Sequence, residues 1–163
     1  MPAGKYHRSV QTEELTIGGK TLRFYKLGLS EEEQVLVRSI STETLSGAVR
    51  RFPYALERCT FFADIGYDSL VEAVRKPGAN NPRIEGDDKN PFNQHYWLAF
   101  NLTGTESRAR PVILDPIFGY AGLEEHAPDL LDDNHVSYYR RKRIVPPHKP
   151  QWEGGVRIKT TGL

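Results

Sequence analysis

The sequence predicts an α+β fold, with N-terminal helices packed on a mainly antiparallel sheet. Three observations predict it. Helical spacing and helix caps concentrate between residues 30 and 76. From residue 95 onward the chain changes to short apolar runs that read as strands. A separate hairpin signal precedes the helices: "LTIGGKTLRFYKLG" (15–28) alternates apolar and polar residues around Gly18-Gly19.

"SEEEQVLVRSIST" (30–42) opens on Ser30 with Glu33 three residues on, the pattern of a capping box. Val35, Leu36 and Ile40 share a face at helical spacing, and "TETLSGAVRRF" reads as a second short helix ending before Pro53. "YALERCTFFADIG" (54–66) fits two readings. Ala55, Leu56, Cys59, Phe62 and Ala63 form a helical stripe, whereas "CTFFADI" also suits a buried strand. Gly66 ends the element in both cases, and Asp68 then caps "SLVEAVRK" up to Pro77-Gly78.

Residues 77–94, "PGANNPRIEGDDKNPFNQ", hold three prolines and two glycines and read as a long polar loop that leads directly into His95. Loops of this length within a compact domain are either disordered or serve a site; the functional reading is a flap over a site. "HYWLAFNLTG" then alternates and ends in a turn. "RARPVILDPIFGY" is a more continuous apolar run, fit for the centre of a sheet, and its strand must end near Asp115 because Pro116 has no N–H for the ladder. "HVSYYRRKRIV" (135–145) reads as a third strand. The Pro-rich tail 146–163 has room for one more at "GVRIKT".

At 163 residues the chain is expected to form a single domain, 1–163, large enough for a core without staples. One cysteine makes no internal disulfide and no multi-cysteine zinc site. With 22 Lys+Arg against 21 Asp+Glu, the charge of +1 favours neither a nucleic-acid nor an acidic partner. No stretch approaches the ~18 apolar residues of a membrane span, and the N-terminus has no signal-like apolar region, so a cytoplasmic location without membrane partners is expected. "YYRRKR" (138–143) mixes aromatic and basic residues, but as a strand it would split its charge between two faces, as a solvated edge strand does. His126, His135 and Asp132-Asp133 have no ligand-pair spacing, so neither metal nor cofactor is expected.

The chemistry-bearing residues are Cys59, His95 and Asp115. A thiol acts as a nucleophile at neutral pH when an imidazole holds it as thiolate, a further group orients that imidazole, and a helix N-terminus stabilises the negative charge. If 95–102 and 109–115 pair as a hairpin through "TGTESRAR", the start of one strand meets the end of the other, bringing His95 to Asp115.

The order Cys59, then His95 in "H-x-W", then Asp115 in "L-D-P" resembles the transglutaminase-like branch of the papain-like cysteine enzymes. That branch includes transglutaminases, related bacterial proteases and arylamine N-acetyltransferases. The spacings are 36 and 20 residues, and the resemblance covers about residues 54–120. It implies a papain-like core with Cys59 as nucleophile, His95 as general base and acid, and Asp115 as the orienting carboxylate. The chain departs from the pattern in having "ERC" before the cysteine, a helix cut short at Gly66, and no upstream glutamine for an oxyanion hole. The Cys59 backbone N–H stands in for that donor, with Tyr54 or Gln94 as a second; Trp97 joins them as a substrate-binding or oxyanion candidate.

Two functions follow from this reading. One is a thiol-dependent hydrolase or acyl/amide transferase acting on an amide, ester or thioester carbonyl of a small molecule or peptide. The other is a non-catalytic binding or assembly module on the same fold, with 77–94 and 138–143 facing a partner. Substrate, acyl acceptor and oligomeric state are not written in these residues.

Overall fold

A computed structural model describes residues 12–87, 95–104, 109–131, 133–145, 152–153 and 156–157. The hairpin signal is realised as β1 (Thr12–Ile17) and β2 (Lys20–Tyr25), turning at Gly18 and Gly19, both with positive φ. The helix α1 (Glu31–Arg51) starts at the expected box: Ser30 Oγ accepts the Glu33 N–H, and the Glu33 carboxylate accepts the Ser30 N–H. Ser30→Ala should therefore cost about 1 kcal/mol of stability, read as a lower urea midpoint at unchanged slope. An unchanged midpoint would show that Arg110, which also binds Glu33, fixes this helix end without the cap.

The remaining helical expectations are corrected in three places. Residues 43–51 do not form a second helix but continue α1. Its buried stripe is Val37, Ile40, Ser41, Thr44, Leu45 and Ala48, while Val35 is 59 % exposed. Nor does Gly66 end an element. After a single 3-10 turn (Ala55–Glu57), α2 runs from Cys59 to Ala73 without a break, and Asp68 lies inside it rather than capping a new helix. Both glycines are there for close approach. A Cβ on Gly66 would stand 3.2 Å from Leu98 Cδ1, and one on Gly47 would stand 2.8 Å from the Ser69 Cβ. The absent side chains let α2 lie down on the sheet and let α1 cross it closely.

The expected loop 77–94 is also corrected. Residues Ala79–Asp87 form β3, paired along its length with β4 (His95–Leu102); residues 88–94 lie outside the described residues. The sequence looks loop-like because of Pro82 and the asparagines. The strand accommodates them in a register shift between Asn80 and Arg83, with Asn81 at φ 56°.

Next come β5 (Arg110–Asp115) and β6 (Tyr120–Leu123), then a 3-10 turn (Glu124–His126) and a short α3 (Ala127–Leu130). The expected strand over 135–145 is instead a helix, α4 (Asp133–Arg141), followed by the short β7 (Arg143–Val145). Helical rather than alternating spacing explains the burial of Val136 and Tyr139. In the tail, β8 (Trp152–Glu153) pairs with β9 (Val156–Arg157); the rest of "GVRIKT" lies outside the described residues.

The main sheet has seven strands in the order β1-β2-β6-β5-β4-β3-β7. It is antiparallel except for β2 against β6, so the N-terminal hairpin belongs to the same sheet as the later strands. β5 lies at its centre, as its apolar run predicts. The fold is α+β, as expected. Alternation divides its two faces. Leu98, Phe100, Leu102, Val112 and Leu114 join a core with α1 and α2, whereas Trp97, Ile113 and Tyr120 join a second core with Ala127 and Tyr139. No helix among the described residues is long and apolar enough to cross a membrane.

Candidate active site

His95 is the first residue of β4 and Asp115 the last of β5, and these strands pair antiparallel with Leu98 opposite Leu114. Extending that register places the two side chains diagonally on one face. His95 Nε2 lies 2.6 Å from Asp115 Oδ2. Asp115 is fully buried and His95 nearly so.

The carboxylate is saturated. Oδ1 accepts the backbone N–H groups of Ile117 and Phe118, each at 3.1 Å, which closes the turn after Pro116. Oδ2 accepts the Tyr139 hydroxyl at 2.8 Å in addition to His95. Burial above all, and then the neighbouring Asp115 charge, pushes the Tyr139 pKa well above the usual 10, so its hydroxyl remains a donor. Because every contact to Asp115 is a donor, His95 carries its proton on Nε2. That leaves Nδ1 for the second neighbour of the ring, the side chain of Cys59, with which it hydrogen-bonds.

Cys59 opens α2, directly after the extended Arg58, and is half-buried. Phe62 N–H bonds back to Arg58 C=O, so residues 59–61 form the first turn, at the positive end of the helix dipole. Cys59, His95 and Asp115 thus form one hydrogen-bonded line, contributed by a helix start, a strand start and a strand end.

Burial by itself would lower the basicity of His95. The hydrogen bonds to Asp115 and Cys59 and the electrostatic pull of both groups outweigh it and raise the pKa from 6.5 to about 9. Aromatic rings hold the imidazole plane. Phe118 stacks on it at 3.9 Å between centroids, Tyr138 meets it edge-on at 5.6 Å, and His135 lies behind Phe118 at 4.1 Å.

The three oxyanion candidates turn out differently. Trp97 is fully buried, and its indole N–H donates to Glu85 Oε1 at 3.0 Å, so that donor is already committed. Tyr54 is 62 % exposed, with its ring edge-on to Phe52. Gln94 lies outside the described residues. The sequence reading missed Tyr139, Phe118 and Glu85. For Phe118 a signal existed, since an Asx-type turn after "LDP" brings the third residue back over the aspartate. For Tyr139 the strand reading of 135–145 concealed it, and for Glu85 the loop reading did. His126 and His135 belong to the 3-10 turn and α4, and among the described residues no group of three His, Cys, Asp or Glu could hold a metal ion.

Comparisons of the chain with protein-family models, with curated proteins and with solved structures gave no match.

Proposed function

We propose that this protein is a thiol-dependent hydrolase or acyl/amide transferase, with Cys59 as nucleophile, His95 as acid and base, and Asp115 as the orienting carboxylate. One observation carries the reading: a buried imidazole bonded to a buried carboxylate through Nε2 also bonds the cysteine at a helix start. An imidazolium beside a thiol favours the thiolate, and the first turn of α2 adds the positive end of a helix dipole. The order of the three residues, on a helix start, an "H-x-W" strand and an "L-D-P" strand end, supports a transglutaminase-like core. A free thiol nucleophile suits a reducing, cytoplasmic compartment.

The chemistry follows from the protons. Cys59 Sγ attacks a carbonyl carbon, whose oxygen takes up the electron pair near the positive end of the α2 dipole. The tetrahedral intermediate collapses, the bond to the leaving amine, alcohol or thiol breaks, and His95 Nδ1–H protonates that group. Water or an amine, deprotonated by His95, then attacks the thioester and releases Cys59. Asp115 holds Nε2–H throughout and stabilises the imidazolium.

The test is the alkylation of Cys59 by iodoacetamide as a function of pH. A thiolate held by imidazolium should lose less than about tenfold in rate between about pH 9 and about pH 6, where an ordinary thiol loses on the order of a hundredfold or more. A rate that follows the ordinary profile, or a thiol inert in the folded protein, would overturn the proposal in favour of a binding or assembly module.

A further inference from the structure

We infer that Glu85 is a positioning residue for the His95–Asp115 pair, acting through the Trp97 indole and through Lys142 at the end of α4. Glu85 lies on β3 directly opposite Trp97 on β4. Its side chain is almost wholly buried and collects three donors. Arg83 Nε reaches Oε2 at 2.8 Å, Trp97 Nε1 reaches Oε1 at 3.0 Å, and Lys142 Nζ stands 3.5 Å from Oε1. Lys142 also binds the Glu124 carboxylate in the 3-10 turn after β6. Arg83 is anchored in turn by the Asn81 carbonyl at 2.9 Å and by Asn101 Oδ1 at 3.0 Å.

A cluster of this kind is poorly explained as a source of stability. Desolvating four charges costs about as much as their attraction returns, and apolar packing of equal volume commonly does as well. What the cluster does hold is Trp97. Its ring stands 5.4 Å from the His95 ring and meets Tyr139 edge-on at 4.8 Å. His95 and Tyr139 are the two side chains that share Asp115 Oδ2. Trp97 is wedged behind both donors, and Glu85 fixes the plane of that wedge by its one polar atom. Lys142, in the link between α4 and β7, ties the end of α4 to the same carboxylate and so keeps Tyr138 and Tyr139 over the pair. Glu85 touches no reacting atom; it sets where the imidazole, the phenol and the helix stand.

The charged and titratable groups facing His95 are Asp115 from β5, Cys59 from α2 and Tyr138 from α4; Tyr139 of α4 meets it through Asp115, and His135 of α4 lies behind Phe118. Behind Trp97 stand Arg83 and Glu85 from β3, Lys142, and Glu124. The two acids and two bases of this outer group balance. Glu85→Gln leaves it one positive charge in excess, and Lys142→Met leaves it one negative charge in excess. The consequence for turnover rests on the thiol-enzyme reading, whereas the titration of His95 reports the coupling whether or not the protein is an enzyme.

The experiment is an NMR titration of histidine-labelled protein in the wild type, Glu85→Gln, Lys142→Met and the double variant, with His95 assigned from His95→Gln. Glu85→Gln should lower the His95 midpoint by about one pH unit and Lys142→Met should raise it by a similar amount. The double variant should return to within a few tenths of the wild type. Two single variants that shift His95 in the same direction, or not at all, would overturn the inference, as would a double variant displaced further than either. Should Glu85→Gln fail to fold, the partly exposed Lys142 decides alone: an upward shift supports the coupling, and none or a downward one refutes it. An ordinary alkylation profile for Cys59 with these opposite shifts intact would sink the enzyme reading while leaving the positioning role in place.

Discussion

Cys59→Ser and His95→Ala should each reduce acyl transfer from an activated aryl ester to background, a loss on the order of 10⁵–10⁶ in kcat, while Asp115→Asn should lose about 10³–10⁴ and remain measurable. Nucleophile and base act as one unit, so removing either forfeits nearly all that both supply. Asp115→Asn acts differently, and the four bonds to Asp115 show how. Two of them come from backbone N–H groups on Oδ1, and two from His95 and Tyr139 on Oδ2. Asparagine offers one oxygen and one NH₂. With the oxygen kept in the Asx-type turn, the NH₂ faces His95 Nε2 and makes it an acceptor. The imidazole proton then moves to Nδ1, where it no longer accepts a proton from Cys59 or the incoming nucleophile. With the amide flipped, the NH₂ opposes two backbone donors. Both arrangements leave the thiol poorly served but present, hence the residual rate. Thermal melts must accompany the rates, because a partly unfolded variant mimics a catalytic defect. A well-folded His95→Ala protein with wild-type turnover would end the proposed mechanism.

The parts of this architecture that were legible in the sequence are those fixed by local rules. Gly18-Gly19 demanded a hairpin, Ser30 with Glu33 demanded a helix start, and Pro116 forced β5 to stop at Asp115. The His95–Asp115 approach was legible because an antiparallel pair joined by a turn brings one strand's start to the other's end. The missed elements depend on partners distant in the chain. Pro82, Asn80 and Gly86 look like a loop until β4 supplies a ladder for them and Trp97 and Arg83 satisfy Glu85. "HVSYYRRKR" alternates well enough for a strand, yet helical spacing is what buries Val136 with Tyr139 and sets His135 and Tyr138 on Phe118. Gly66 reads as a breaker because the surface that needs its missing side chain, Leu98, belongs to another element. The parallel contact of β2 with β6 leaves no local mark at all. The same divide runs through the site. The line Cys59–His95–Asp115 could be argued from order and hairpin geometry, whereas Tyr139, Phe118 and Glu85 required the fold.

The largest stability loss is expected from Asp115→Ala, at about 3–5 kcal/mol, read as a fall in the urea midpoint. The substitution strands four donors at once: the Ile117 and Phe118 N–H groups, the Tyr139 hydroxyl and His95 Nε2–H. Two of these hold the turn that delivers Phe118, so the loss extends to the strand end. A change below about 1 kcal/mol would show that water takes over the buried bonds. The His95 share of this stability has a definite dependence on pH. Its folded pKa, about 9, lies above the 6.5 of an unfolded histidine. Its contribution is therefore fully present below about pH 6.5 and is lost as pH rises through about 9. A cysteine ordinarily titrates in the same window, so the measurement belongs in Cys59→Ser, where the imidazole titrates without it. That variant retains the Asp115 bond but loses the Cys59 contribution, so the upper end of its window falls below 9. Its unfolding free energy should decline from about pH 6.5 upward, and adding Asp115→Asn should flatten the decline. The flattening follows because burial alone lowers the basicity of the imidazole, leaving no raised pKa to lose. A Cys59→Ser protein whose stability is level or rising between about pH 6.5 and pH 9 would mean that Asp115 does not hold His95 in its charged form.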